Sequence, residues 1–166
     1  YLSSNTTKTS ISILGYKRSS TNDAATKKTI IKVPIINGLE ANADSKIESK
    51  GTLKGNTIAL KSTSASEIKL NLEYEKIESE SSSASKIELE GMALDLQANA
   101  SSASKIDAED LLANTVIAES SSASKISIHP IVNLQANASS GGAIKYNNNP
   151  KQIEKSTSSG GDVSHE

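Results

Sequence analysis

Four lysines stand directly before an isoleucine that closes a serine-rich run, and their charge could bind an anionic ligand. They are Lys46, Lys86, Lys105 and Lys125. Glu67 takes this place in another run. Two residues after Lys46, Glu67, Lys86 and Lys105 lie, respectively, Glu48, Lys69, Glu88 and Asp107. Two interpretations follow: the charges balance one another on a solvated sheet face, or the lysines form a ligand strip for an anionic glycan or surface polymer.

Other residue types with catalytic or metal-binding chemistry are isolated in the sequence. His129 precedes Pro130 and His165 is penultimate, and neither has the spacing of a metal site or an acid–base pair. The serines form no G-x-S-x-G elbow, and no glycine-rich phosphate loop occurs. We predict surface histidines, no catalytic residue, no metal site and no cofactor.

A carbohydrate-active enzyme, a polysaccharide lyase or hydrolase, is the alternative to a noncatalytic protein. Such enzymes need clustered carboxylates, or a carboxylate with a basic partner, in a groove. Here the acids alternate with Lys, Ser and Asn, and the aromatic residues are four Tyr with no Trp or Phe. A groove with converging acids would favour the enzyme, and smooth faces of mixed charge would favour a scaffold.

An internal repeat positions the lysines, and the apolar residue that closes each serine-rich run is its anchor. The anchors are Ile47, Ile68, Ile87, Ile106, Ile126, Ile144 and Val163. Their spacings are 21, 19, 19, 20, 18 and 19 residues. Ten residues before the anchors runs a second apolar column, consisting of Ile58, Ile77, Leu96, Val116, Leu134 and Ile153. Polar and apolar residues alternate around both columns, which is typical of strands with one inward face.

Stacked repeats predict an all-β fold, a parallel β-solenoid of about seven coils of 18–21 residues, because one coil alone cannot bury its inward face. A weaker third apolar position predicts a loose third side, at Met92, Leu111 and Ile131. A helix over residues 107–120 is the local alternative. Val116 and Ala118 nevertheless fall in register with Leu96 and Ala98, which favours strands.

The serines two residues before the anchors are predicted to face inward at a tight corner, beside alanines. They are Ser45, Ser66, Ser85, Ser104 and Ser124. Their hydroxyls can bond backbone groups or the next serine in the stack. Gly142 and Gly161 take this position in later coils, as expected where side chains are unwelcome.

We expect one solenoid domain over residues 1–166, with repeat coils over 33–166. Residues 1–32 lack the repeat and are expected to form an irregular opening coil or cap. Within this region and just after it, the apolar patterns at 10–16 and 29–36 predict strands, joined by a loop.

Composition excludes several classes of partner. The chain has 18 basic and 19 acidic residues, a net charge of −1, which gives no electrostatic footprint for nucleic acid or an anionic membrane. The absence of cysteine excludes disulfides and thiolate metal sites. No apolar run reaches the length of a membrane span.

Four stretches together resemble one family: LEANADSKIESKGTLKGNTIALKSTSASEIKL, SASKIELEG, SASKIDAEDL and GGAIKYNNNPKQIEKSTSSGG. They are similar to the auto-transporter adhesin head domain, or GIN domain, of exported proteins in Bacteroidetes-type bacteria. The resemblance covers about residues 28–166. It implies a single-stranded, right-handed parallel β-helix and a role in adhesion, with no catalytic motif to carry over.

We therefore expect a noncatalytic exported module, either a cell-surface adhesin or an envelope structural protein. Its expected location is the cell surface, the outer membrane or the periplasm. Its expected partners are host or bacterial surface glycans or proteins, and not nucleic acid. The ends of the solenoid offer unpaired strand edges, which predict self-association.

Overall fold

The computed structural model describes residues 10–14, 30 and 35–166, and all the regular elements in these ranges are β-strands. The strands are β1 (Ser10–Leu14), β2 (Gly38–Asn42), β3 (Lys46–Ser62), β4 (Glu67–Ser81), β5 (Lys86–Ala100), β6 (Lys105–Ser120), β7 (Lys125–Ala138), β8 (Ala143–Tyr146), β9 (Gln152–Thr157) and β10 (Asp162–His165). The predicted all-β fold is confirmed. Residues 107–120 lie in β6, so the helical alternative is wrong.

The strands pair in parallel, each with a strand one coil away. The sheet order is β1-β2-β3-β4-β5-β6-β7-β8-β10, with β9 beside β7. The result is a β-solenoid of about seven coils. Parallel pairing between coils buries the inward face of each coil against its neighbours, which a single coil cannot do.

The predicted anchors lie directly over one another inside the solenoid. The register pairs Ile68 with Ile87, Ile87 with Ile106 and Ile106 with Ile126, and these four side chains are 0% exposed. The second column is in register from Ile58 to Ile153. Both predicted apolar columns are confirmed as columns in register, and they are buried except at their last members, Val163, which is half-buried, and Ile153, which is 41% exposed. Other inward side chains, such as Leu70 and Leu72, add to the core.

The predicted third apolar position is wrong for two of its three residues. Leu111 is fully buried, whereas Met92 is 54% exposed and Ile131 is 38% exposed. Leu111 pairs with Gly91, one residue before Met92, because the register shifts between β5 and β6. A shift of one residue turns a strand side chain to the opposite face, so a count from the anchor fails beyond an irregularity.

The serine corners are confirmed as a buried hydrogen-bonded column. The hydroxyl of Ser85 donates to the Ser62 carbonyl of the preceding coil at 2.6 Å and accepts from the Ser82 N–H at 3.1 Å. The Ser81 and Ser85 hydroxyls are also 2.9 Å apart. The neighbouring alanines, expected in the cramped corner, are instead exposed and have positive φ, as Ala84 does at 59°.

The glycine at the later corners matches its prediction. A Cβ added to Gly142 would lie 2.4 Å from the Ser120 carbonyl oxygen, and one added to Gly161 would lie 2.2 Å from the Ala138 carbonyl oxygen. Both contacts are with backbone atoms, which cannot move aside as a flexible side chain could. These two corners therefore require glycine because the backbone of the previous coil approaches closely.

The opening strand β1 joins the stack as a regular rung. It pairs in parallel with β2, from Ser10 opposite Gly38 to Leu14 opposite Asn42. The strand predicted at 10–16 is thus confirmed over Ser10–Leu14. In the strand predicted at 29–36, the residues 30, 35 and 36 are not in a strand. The remaining residues of both predictions, and the loop between them, lie outside the described residues.

Candidate functional site: the lysine strip

The lysine strip, defined as Lys46, Lys86, Lys105 and Lys125, lies along one face of the solenoid. The register places Lys46 beside Glu67, Glu67 beside Lys86, and then Lys86, Lys105 and Lys125 side by side on successive coils. Neighbouring strands in a sheet are about 4.8 Å apart, so three like charges are stacked at close range. Repulsion of this kind destabilises a sheet unless opposite charges intervene.

Three lysines of the strip are neutralised by nearby acids. Lys86 bonds Glu88, and the Lys105 Nζ lies 2.6 Å from the Asp107 Oδ2. Lys46 Nζ lies 3.4 Å from an oxygen of Glu67. These short lysine–carboxylate distances support the interpretation that the charges balance one another on this face.

Glu88 is the most connected acid beside the strip. It accepts a hydrogen bond from Lys86 and also lies 3.3 Å from the Nζ of Lys69, on the preceding coil. The hydrogen bond from Lys86 holds the pKa of Glu88 below its ordinary value of 4.5. The same bond raises the pKa of Lys86, and Glu88 raises the pKa of Lys69. The pairing therefore favours the charged form of each partner.

Acid should weaken this cluster. Because the pKa of Glu88 is depressed on folding, its contribution is present above about pH 4.5 and is lost as the pH falls through the lower folded-state value. We expect Glu88→Gln to lower the free energy of unfolding by about 1 kcal/mol or less at pH 7, since the pair is screened by solvent, and to leave it unchanged near pH 2. Urea unfolding of both proteins at several pH values measures this.

The control for the Glu88 experiment is Glu75→Gln on the neighbouring strand β4. Glu75 is exposed, and among the described residues it has no lysine within 4 Å. Its substitution should leave the free energy of unfolding nearly unchanged at both pH values. A penalty for Glu88→Gln that stays constant down to pH 2 would contradict the depressed pKa.

Lys125 is the exception in the strip. No carboxylate of the described residues lies within 4 Å of its Nζ. The position two residues on, acidic in the coils of Lys86 and Lys105, is Ser127. Ser127 is 1% exposed, and its hydroxyl has no hydrogen-bond partner among the residues that the structure describes. The coil of Ile126 therefore holds a lysine without its acid.

A second surface, on another side of the solenoid, was not predicted from the sequence. It is a shallow depression of about 470 Å³, here called the glutamate depression, whose charged lining residues are Glu40, Lys61, Glu78 and Glu80. Lys61 lies 3.5 Å from Glu80, and Lys76 lies 2.5 Å from Glu78. Charged residues recur at positions 40, 61 and 80, which strand alternation places on the outward face. This pattern in the sequence could have revealed the depression.

Exposed aliphatic side chains form a third surface, at a bend between the two sides of the coils. Met92, Leu94, Leu112 and Ile131 are 38–54% exposed and line one open cavity with Tyr74. Contiguous exposed apolar surface is a feature of interaction sites.

The histidines are not part of any of these surfaces. The Nδ1 of His129 lies 3.3 Å from the Glu109 carbonyl oxygen, and His165 packs edge-on against Tyr146 with 5.0 Å between ring centroids. His165 is exposed as predicted, whereas His129 is half-buried. In the described part of the chain, no group of three or more His, Asp or Glu side chains could hold a metal ion.

A known protein family matches most of this chain. The family described as "Putative auto-transporter adhesin, head GIN domain" matches residues 8–150. The chain belongs to the GIN-domain family. This confirms the resemblance found in the sequence, although the match begins earlier, so that it includes β1, and ends before β9.

A solved structure shares the fold of this GIN domain. It is the crystal structure of "a putative adhesin" from Bacteroides fragilis NCTC 9343, with a TM-score of 0.74 and 21% sequence identity. The alignment covers 80% of this chain and 62% of that one, so this chain spans less than two thirds of that protein's length. No curated protein matches the chain.

Membership of an adhesin-type family supports an adhesin-like role for this GIN domain and is typical of an exported or cell-surface protein. Over the residues that the structure describes, no helix is long and apolar enough to cross a membrane.

Proposed function

We propose that this GIN domain is a noncatalytic, exported binding module that attaches to an anionic glycan or other surface polymer through the lysine strip. The observation that carries the proposal is the register of Lys86, Lys105 and Lys125 on successive coils of an adhesin-family solenoid. A repeating polymer can contact several coils at once, and contacts linked in this way add to one another.

The experiment measures retention of the purified chain on a panel of immobilised acidic polysaccharides, neutral polysaccharides and matrix proteins. We expect retention on acidic polysaccharides and about ten-fold or greater weakening when Lys86, Lys105 and Lys125 are replaced together with Ser. Loss of charge-assisted hydrogen bonds to the polymer is the cause.

The control replaces Lys54, Lys61 and Lys76 with Ser. This variant has the same change in net charge, and each of these lysines also lies in an ion pair, with Glu73, Glu80 and Glu78 respectively. It should bind acidic polysaccharides nearly as the natural chain does. Equal weakening in both variants would show that net charge and not the strip is responsible, and no retention on any member of the panel would overturn the binding function.

The carbohydrate-active alternative is favoured by one observation, the three glutamates of the glutamate depression. Glu78 and Glu80 are ion-paired with lysines, an arrangement that neutralises charge rather than leaving free acids in a groove. We expect no release of reducing or unsaturated ends from any polysaccharide in the panel. Release that stops in the Glu78→Gln/Glu80→Gln variant would establish the enzyme instead.

Self-association through the solenoid ends stays a prediction.

A further inference from the structure

The coil of Ile126 breaks a pattern that its two predecessors keep. In the coils of Ile87 and Ile106, a lysine before the anchor bonds an acid after it, as Lys105 bonds Asp107 at 2.6 Å. In the coil of Ile126 the lysine is retained as Lys125, but Ser127 stands in the acid's position, directly in register with Asp107. The backbone is therefore set for a lysine–carboxylate pair that this coil does not make itself.

Two acids near Lys125 are already paired with other lysines. Asp107 is bonded to Lys105, and Glu166 lies 2.9 Å from the Nζ of Lys145. The charge of Lys125 contributes to the lowered pKa of Glu166, after the larger effect of Lys145, but Glu166 forms its ion pair with Lys145. Lys105 and Lys145 adjoin Lys125 and Ser127, but Glu109 and Asp162 also act on Lys145. The attraction for an anion therefore comes from Lys125, which among these three lysines is the one without an ion pair in the described residues.

Ser127 supplies an independent observation at the same place. Its hydroxyl is buried and has no hydrogen-bond partner in the described part of the chain, which is rare for a buried polar group and costs free energy. In its column Ser127 is flanked by the longer side chains of Asp107 and Lys145. The Ser127 hydroxyl is closed to solvent in this conformation, so a ligand oxygen reaches it only after a flanking side chain such as Lys145 rotates away, a motion that is fast at a protein surface.

We propose that Lys125 and Ser127 form a binding site for a single anionic group, the carboxylate or sulfate of an acidic polysaccharide. The group occupies the place that Glu88 and Asp107 fill in the two preceding coils. Lys125 donates a charge-assisted hydrogen bond to it, and the Ser127 hydroxyl donates a second one. The site rests on the proposed binding function and identifies the principal contact within the lysine strip, because Lys86 and Lys105 have acids of their own.

The test titrates the full chain in about 0.15 M NaCl with three hexasaccharides: a polyuronate, a sulfated one and a neutral one. Backbone amide shifts in nitrogen–proton correlation spectra report the site and the affinity. We expect the charged probes to shift the amides of Lys125, Ile126 and Ser127 most strongly, and the neutral probe to shift none. The two charged probes separate a carboxylate ligand from a sulfate ligand.

Two variants test the site from opposite directions. Lys125→Ala removes the cation, and Ser127→Asp keeps Lys125 but supplies the missing carboxylate from within the chain, as Asp107 does for Lys105. Each should weaken binding about ten-fold. Gln135→Glu adds the same charge on an exposed position of another side and should leave the affinity within about two-fold.

The possible results distinguish a failure of the Lys125–Ser127 site from a failure of the proposed binding function. Binding that persists in Ser127→Asp, or shifts centred on Lys86 or the glutamate depression, overturns the site while the binding function stands. If Ser127→Asp does not fold, Lys125→Ala decides by the same criterion. Retention of neutral polymers alone overturns the site and the anionic ligand of the proposed function, and the absence of any retained polymer overturns the binding function as a whole.

Discussion

Replacing Ile106 with Ala is expected to lower the free energy of unfolding by about 2 to 5 kcal/mol. The side chain is 0% exposed and lies between Ile87 and Ile126 in the stacked column. The coils above and below are held apart at the spacing of paired strands, so the cavity cannot close by collapse. Urea unfolding, followed by the midpoint at constant m value, measures the loss.

Ile117→Ala is the matched control for Ile106→Ala. Ile117 lies in the same strand, β6, but is 37% exposed. The same deletion of methylene groups should there cost about 0.5 kcal/mol or less. Equal losses at the two positions would mean that the anchor column is not the principal core of the solenoid.

Replacing Gly91 with Ala should destabilise the chain by about 3 kcal/mol or more. Gly91 has φ +115°, a conformation that L side chains rarely adopt, and an added Cβ would lie 2.1 Å from the Leu72 carbonyl oxygen. That oxygen belongs to the backbone of the preceding coil, so relief requires the two coils to separate locally. The shift in urea midpoint measures the effect.

Two other glycines separate the contributions of φ and of contact at Gly91. An added Cβ would meet no atom of the described residues within 4 Å at Gly141, which has φ +73°, or at Gly51, whose φ is not in the left-handed region. Gly141→Ala should cost about 1 kcal/mol, and Gly51→Ala should change stability by less than about 0.5 kcal/mol. A Gly91 variant no less stable than the Gly141 variant would contradict the close backbone approach.

The sequence was sufficient for the stack because a solenoid is nearly one-dimensional. Each coil contacts mainly the coils before and after it, so residues one repeat apart in the chain become neighbours in space. The spacing of Ile87, Ile106 and Ile126 therefore predicted their contact directly. The buried serine corners followed from the same register, because alternation places Ser85 on the same side of the strand as Ile87.

The sequence was insufficient at the bends. Met92 and Leu111 each lie five residues after an anchor, yet one is exposed and the other is buried. The register shift in β6 reverses which residues point inward, and its position depends on how the backbone of one coil fits over the next. The exposed aliphatic surface around Met92 and Leu94 is a consequence that counting from the anchor could not foresee.

For the lysine strip, the sequence alone determined that its members stack, which residues flank them and which fold carries them. Repeat spacing and strand alternation are properties of the chain itself, and both carry over into the fold at the strip, where Lys86, Lys105 and Lys125 pair before the register shifts of their strands. Only the tertiary structure decided which lysines form an ion pair with an acid and which buried hydroxyl, that of Ser127, has no hydrogen-bond partner among the described residues. Those outcomes depend on side-chain reach between coils, as Glu88 shows by bonding Lys86 while contacting Lys69, and as Lys125 and Ser127 show by remaining without an acid.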